Sequence, residues 1–95
     1  PKFPEVRRDL AFLLDNNIPF AEIEKIAFET ERKLLKKVNL FDVYEGKNLE
    51  AGKKSYAINF ILQDEHKTLT ENVIEGVMKN IQQNIETKLN ARLRG

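Results

Sequence analysis

The sequence contains no cysteine, which excludes disulfide staples and thiolate metal sites and fits a reducing compartment. Its one histidine, His66, sits in a polar turn beside Asp64 and Glu65. With no second convergent group in view, it reads as solvated rather than as a metal ligand or an acid–base catalyst. No apolar run approaches the roughly 18 residues that a membrane span needs, and the start is not signal-like. Net charge is nearly absent as well: 16 basic against 15 acidic side chains leave +1, too little to argue for nucleic acid by itself. Phosphate-cradling glycine motifs, catalytic triads, low-complexity tracts and internal linkers are missing. Ninety-five residues at 41% hydrophobic and 33% charged make one domain. A chain of this length buries roughly 60–65% of its unfolded surface, enough to fold without staples.

What the chain does have is clear periodicity. Val6 to Asp15 alternates, with Leu10, Phe12 and Leu14 on one side and Asp9, Ala11 and Leu13 on the other, which predicts a strand. Asn16-Asn17-Ile18-Pro19 is a turn whose proline suits a helix start. From Phe20 to about Lys36 the period becomes helical, with Phe20, Ile23, Ile26, Ala27, Thr30 and Leu34 as the stripe. Arg32, Lys33, Lys36 and Lys37 then sit at the negative end of the helix dipole. Val38 to Gly46 is rich in β-branched and aromatic residues and predicts a second strand ending in a turn. Strict alternation sends Phe41 and Val43 one way and Leu40, Asp42 and Tyr44 the other. Lys53 to Leu62 is a third strand, with Tyr56, Ile58, Phe60 and Leu62 on its apolar side. Thr70 is an N-cap for a second helix running to about Lys88 on Val73, Val77, Ile81 and Ile85. Ala91-Arg92-Leu93-Arg94 alternates again as a short last strand. Gly46 and Gly52 are assigned to turns.

The order βαββαβ predicts an α+β, ferredoxin-like fold: a four-stranded antiparallel sheet with both helices on one face. Phasing each strand's apolar set toward the helices puts Leu10, Phe12, Leu14, Phe41, Val43, Tyr56, Ile58, Phe60, Leu62 and Leu93 inside. The uncovered face receives Asp9, Ala11, Leu13, Asp42, Tyr44, Ser55, Ala57, Asn59, Arg92 and Arg94. Asp9 and Asp42 read as partners for Arg8, Arg92 or Arg94 rather than as a carboxylate pair. One ring, a hydroxyl, small residues and two guanidiniums are the ingredients of a single-stranded RNA site. Taken alone, however, a lone tyrosine is more often packed under a loop, and any half-open sheet can carry Ser, Ala and Arg. Charge is unevenly placed, with Arg7 and Arg8, Lys53 and Lys54, and Arg92 and Arg94 against acids in both helical stretches, so one face is expected to be basic. Lys53 and Lys54 read as solvated strand ends, with a phosphate contact as the functional alternative.

Several separated motifs then occur in one order: Arg-Arg-Asp-Leu-Ala at 7–11, Phe-Asp-Val-Tyr-Glu-Gly at 41–46, Gly-Lys-Lys-Ser-Tyr-Ala at 52–57, Lys-Thr-Leu-Thr at 67–70 and a terminal Leu-Arg-Gly at 93–95. Together they resemble the ferredoxin-fold anticodon-binding domain that closes the β subunit of bacterial phenylalanyl-tRNA synthetase, over essentially the whole chain. The resemblance implies tRNA anticodon recognition in the cytoplasm, in protein biosynthesis, with no catalytic site in this chain. It implies Ala11, Tyr44, Ser55 and Arg94 as anticodon contacts; Arg92 from the open face and Lys54 as a phosphate contact complete the tRNA-binding set. No cofactor is expected for residues 1–95; ATP and magnesium belong, by resemblance, to the full enzyme. The implied partners are the anticodon region of tRNA(Phe), the rest of the β subunit and the α subunit of an α2β2 synthetase, with no membrane. A start at Pro1 without methionine, and no apparatus for amino-acid activation, read as a domain cut from a larger subunit, although methionine removal would leave the same start.

Rivals on the same topology are separable. An acylphosphatase-type enzyme needs an arginine anion cradle after the first strand, where this chain has the acidic, Arg-free Asp15-Asn16-Asn17-Ile18-Pro19. An ACT-type small-molecule regulatory module would pair sheets edge to edge. A general RNA-recognition module carries outward aromatics on its third strand, where this chain has Ser55, Ala57 and Asn59.

Overall fold

The computed structural model describes residues 3–94; Pro1 and the Gly95 of the last motif lie outside the described residues. The elements run β1 (Val6–Asp15), α1 (Phe20–Thr30), β2 (Leu35–Tyr44), β3 (Lys53–Leu62), α2 (Glu71–Leu89) and β4 (Arg92–Leu93). The sheet order is β2-β3-β1-β4 with every neighbouring pair antiparallel, which is the ferredoxin-like arrangement. β1 and β3 pair without interruption from Val6 opposite Leu62 to Asp15 opposite Lys53. A one-residue slip of β1 against β3 would turn Phe12 and Leu14 out to solvent, so burial itself fixes this register.

Both helices cover one face. Ile23, Ile26 and Ala27 from α1 and Ile74, Val77, Ile81 and Ile85 from α2 meet Phe12, Leu14, Val38, Ile58, Phe60 and Leu62 of the sheet. Each fully buried Ile, Leu or Phe contributes about 1.5–3 kcal/mol. Thr70 caps α2 as expected, its hydroxyl accepting from the Val73 N–H at 3.3 Å.

α1 ends at Thr30, six residues before the expected Lys36. Local hydrogen bonds compete successfully with the helical pattern there. Glu31 takes an extended backbone, and its carboxylate accepts from the N–H groups of Lys33 and Leu34 at 3.2 and 2.9 Å. The Leu34 carbonyl instead accepts from Gln63 N–H at 2.9 Å, so the chain is already extended at Leu35. Arg32, Lys33, Lys36 and Lys37 therefore complement no helix terminus; the last turn of α1 holds no basic residue.

The second correction is to β2. Leu40 lies opposite Ile58 but Asp42 lies opposite Ala57, which leaves Phe41 as an extra residue in a bulge. Strict alternation thus fails. Leu40 packs on the core, whereas Phe41, expected inside, is 50% exposed. Val43 and Leu93 keep the parity of the helix side, opposite Tyr56 and Phe12. Both are nonetheless exposed, each on an edge strand of the sheet.

Lys54, expected among the tRNA-binding residues, is carried away from the open face. It shares the side of Tyr56 and Ile58 and is 7% exposed. Its ammonium donates to the carbonyls of Asn16 and Ile18 at 3.0 and 2.6 Å and to Tyr56 Oη at 2.7 Å. The turn before α1 supplies a ready set of acceptors, and a buried cation must take them. Hydrogen bonds to a charged group contribute about 1.5–3 kcal/mol, so Lys54→Met should lower unfolding stability by about 2–3 kcal/mol in a urea titration. A change below about 0.5 kcal/mol, the ordinary range for a surface substitution, would show that this ammonium does not pin the turn.

Candidate nucleic-acid interface

The face away from the helices gathers one residue from each strand region near the Tyr44 end of β2. Tyr44 lies opposite Ser55, and Ser55 opposite Leu13. Ala11 lies opposite Ala57, and its carbonyl accepts from the backbone N–H of Arg94 at 2.8 Å. β2 and β4 are separated by three strand spacings, about 14 Å in all. Two long side chains close that distance: the Arg94 guanidinium carbon stands 4.9 Å from the centroid of the Tyr44 ring. At an exposed site such a contact contributes about 0.5–1 kcal/mol. Small side chains in register between them, Ala11 and Ala57, keep the path clear.

Gly46 seats the ring. A Cβ at this position would stand 2.6 Å from Tyr44 Oη and 2.8 Å from Cζ, closer than any real Cβ contact. The position of Gly46 after the strand implies only a turn role; its close approach to the phenol is visible only in three dimensions. Gly52, with φ of +80°, is the glycine whose backbone a turn requires.

Polar neighbours tie the rest of the face together. Arg92, also on this face, pairs with Glu50 from the β2–β3 loop. Asn39 donates to Asn59 across the strands at 2.9 Å. The Arg7 Nε donates to Asp9 at 2.9 Å, and its guanidinium carbon lies 5.4 Å from the Phe41 ring centroid. That hydrogen bond and the Asp9 charge raise the Arg7 pKa above its ordinary value. Asp9 is thus the partner of Arg7, not of Arg8, Arg92 or Arg94; Arg8 instead reaches Glu71 at 3.0 Å.

Comparison with known proteins shows the family of the chain that carries this face. Residues 1–94 match the ferredoxin-fold anticodon binding domain. The chain belongs to that family. It is 66% identical over 93 residues to the phenylalanine–tRNA ligase beta subunit of Bacteroides thetaiotaomicron, covering 98% of this chain and 11% of that protein. The corresponding subunit of Porphyromonas gingivalis is 58% identical over 94 residues, with 99% and 12% covered. That of Haemophilus ducreyi is 42% identical over 93 residues, with 98% and 12% covered. The chain therefore spans about a ninth of the length of these curated relatives.

Within this anticodon binding domain, Ala11, Tyr44, Arg92 and Arg94 share the uncovered face. Ser55 shares it too but is 3% exposed, so its hydroxyl is not presented to solvent as expected; it lies in register between Tyr44 and Leu13. Lys54 is on the opposite side. Gly46, Phe41 and Arg7 are the members of this surface that sequence reasoning missed, and the Phe-Asp-x-Tyr-x-Gly spacing was the only signal for two of them. No three His, Cys, Asp or Glu side chains among the described residues converge to hold a metal ion. No described helix is long and apolar enough to cross a membrane.

His66 is exposed, and its contribution is a backbone one: its N–H donates to Asp64 Oδ1 at 2.8 Å. That bond, aided by Lys33 and Lys67, holds the Asp64 carboxyl below the usual carboxylate range against the opposing effect of burial.

Two outcomes follow. Gly46→Ala should push the Tyr44 ring off its seat, shifting the ring-proton resonances of Tyr44 and the side-chain Nε–H of Arg94 while leaving the core resonances in place. Unmoved Tyr44 signals would show that the glycine does not position it. For Asp64, a depressed folded-state pKa stabilises fully above the unfolded value of about 3.9 and is lost as pH falls through the lower folded value. Asp64→Asn should therefore lose less stability than the parent as pH is lowered from ~5 to below the unfolded value of ~3.9 when urea midpoints are compared. Parallel pH profiles would contradict that.

Proposed function

We propose that this domain positions a tRNA for a phenylalanine–tRNA ligase by holding anticodon nucleotides on its open sheet face. The observation that carries the reading is the approach of the Arg94 guanidinium to the Tyr44 ring, 4.9 Å apart, beside the small side chains of Ala11 and Ala57. Tyr44 stacks on one base, Arg94 reaches that nucleotide's edge or phosphate, and Ala11 permits close approach. Arg92 supplies a further cation once Glu50 releases it. Ser55 supports the ring from below and offers its hydroxyl to a base only when its cover shifts. Stacking is tolerant of base identity, so the edge contacts discriminate.

The chemistry belongs elsewhere. Aminoacylation, ATP and magnesium lie with the rest of the β subunit and with the α subunit of an α2β2 enzyme in the cytoplasm. This chain acts as its distal tRNA clamp. One stacked base contributes about 1–3 kcal/mol, so the domain alone binds weakly, and affinity arises from holding anticodon and acceptor end together. An ACT-type module is disfavoured by the sheet edges. β2 carries two register shifts with Lys36 and Lys37 beside the first, and β4 has two residues; both are edge features that discourage sheet pairing.

Binding of a phenylalanine anticodon stem-loop to the 95-residue chain, against a scrambled loop, tests the reading. Tyr44→Ala should weaken it about 5–150-fold, the equivalent of one lost stack. Arg94→Gln should flatten the dependence of log affinity on log salt by about 0.7 if Arg94 neutralises one phosphate of a single strand. Wild-type affinity in Tyr44→Ala, or equal binding of the scrambled loop, would overturn it.

A further inference from the structure

Beyond Tyr44, the open face carries a second ring that nothing above assigns to a ligand. Phe41 is expected inside by alternation, but the bulge between Leu40 and Asp42 leaves it half exposed. Its contact with Arg7 tells which way it faces. Arg7 shares strand parity with Asp9 and Ala11, on the uncovered side, and its guanidinium carbon is 5.4 Å from the Phe41 centroid. Asp9 fixes that guanidinium through two bonds, Nε to Oδ1 at 2.9 Å and Nη2 to Oδ2 at 3.3 Å.

The Phe41–Arg7 pair therefore repeats the Tyr44–Arg94 pair: a ring on the edge strand β2 and a guanidinium reaching over from the far half of the sheet. We infer that Phe41, backed by Arg7, is a second stacking seat, for a nucleotide neighbouring the one on Tyr44 in the same single strand. Three residues separate the rings along β2, at most roughly 10 Å at strand rise. That exceeds the ~3.4 Å between stacked bases, so the two seats take splayed bases, as single-stranded recognition does. The surroundings suit RNA better than a protein partner. Asp9, Asn39, Asn59 and Arg7 line the face near Phe41 with polar and charged groups, and the depletion of charge that marks a protein-docking core is missing.

This inference rests on the anticodon reading of the same face, and the experiment separates the two. Stem-loop binding is measured for the 95-residue chain and for Phe41→Leu, Phe41→Trp and Tyr44→Leu, with folding checked by circular dichroism. Each protein is titrated with the intact loop and with loops abasic at one position at a time. Phe41→Leu keeps an apolar side chain but has no π face, and it should weaken the intact loop about 5–150-fold. That loss should vanish on one abasic loop, at a different position from the one that silences Tyr44→Leu, and Phe41→Trp should bind like the parent. Phe41→Leu within about twofold of the parent, well below the loss of one stack, would overturn the second seat while leaving Tyr44 in place. So would an equal loss on every abasic loop. Insensitivity of both Tyr44→Leu and Phe41→Leu would remove the anticodon reading and the second seat together.

Discussion

The bulge at Phe41 is the constraint on which the make-up of the open face depends. Val38, Leu40, Asp42 and Tyr44 share even numbering, so an unbroken strand would put them all on one side. The core requires Val38 and Leu40, opposite Phe60 and Ile58, to lie beneath the helices. Without an extra residue Tyr44 would follow them under. One unpaired position resets the phase: Asp42 and Tyr44 emerge opposite Ala57 and Ser55 on the uncovered side. A local irregularity in the ladder thus lets a single strand serve the core at one end and the open face at the other, the use to which bulges are commonly put.

That same device explains what could and could not be read from residues alone. β1 and β3 were legible to the residue because ten positions of unbroken alternation with one greasy side admit one register. α2 was legible because the Thr70 cap and the stripe of Val77, Ile81 and Ile85 agree, although Val73, expected on that stripe, is exposed and Ile74 is buried instead. Tyr44 was assigned to the correct face, yet on a phase that also sent Phe41 inside and Leu40 out. Two errors, in opposite directions, cancelled at Tyr44. The end of α1 was hidden because helical periodicity continues through Leu34; the carboxylate of Glu31 ends the helix by capping two N–H groups, and no propensity scale registers a specific bond. Lysines at strand starts are usually solvated, whereas Lys54 finds two carbonyl acceptors in the turn folded over it and a third acceptor, Tyr56 Oη, two residues along its own strand.

The surface itself is modest in charge. Asp9 engages Arg7 and Glu50 engages Arg92, so part of the positive charge is internally compensated, consistent with a net charge of only +1. A fully basic groove would bind any RNA and would slide. A face in which each guanidinium is held by a carboxylate or a ring gives up raw affinity and gains defined geometry, since the side chains are oriented before a ligand arrives. For the function proposed, placing one loop of one class of RNA, orientation matters more than grip.

Arg94 reaches that geometry only because of how the chain leaves α2. Nineteen helical residues, about 28 Å at helical rise, carry the chain back along the sheet to the end where Leu13 and Tyr44 lie. Asn90 then takes the left-handed conformation, φ 53° and ψ 35°, one of the few non-glycine residues that does so at low cost. The reversal is complete within Ala91, which is buried, and Arg92 is already paired beside Leu13. A slower turn would spend residues on the connection and leave Arg94 short of Ala11. The backbone bond from Arg94 N–H to the Ala11 carbonyl is therefore the point at which helix length, left-handed cap and sheet order meet, and it fixes the base from which the guanidinium spans the sheet to the ring.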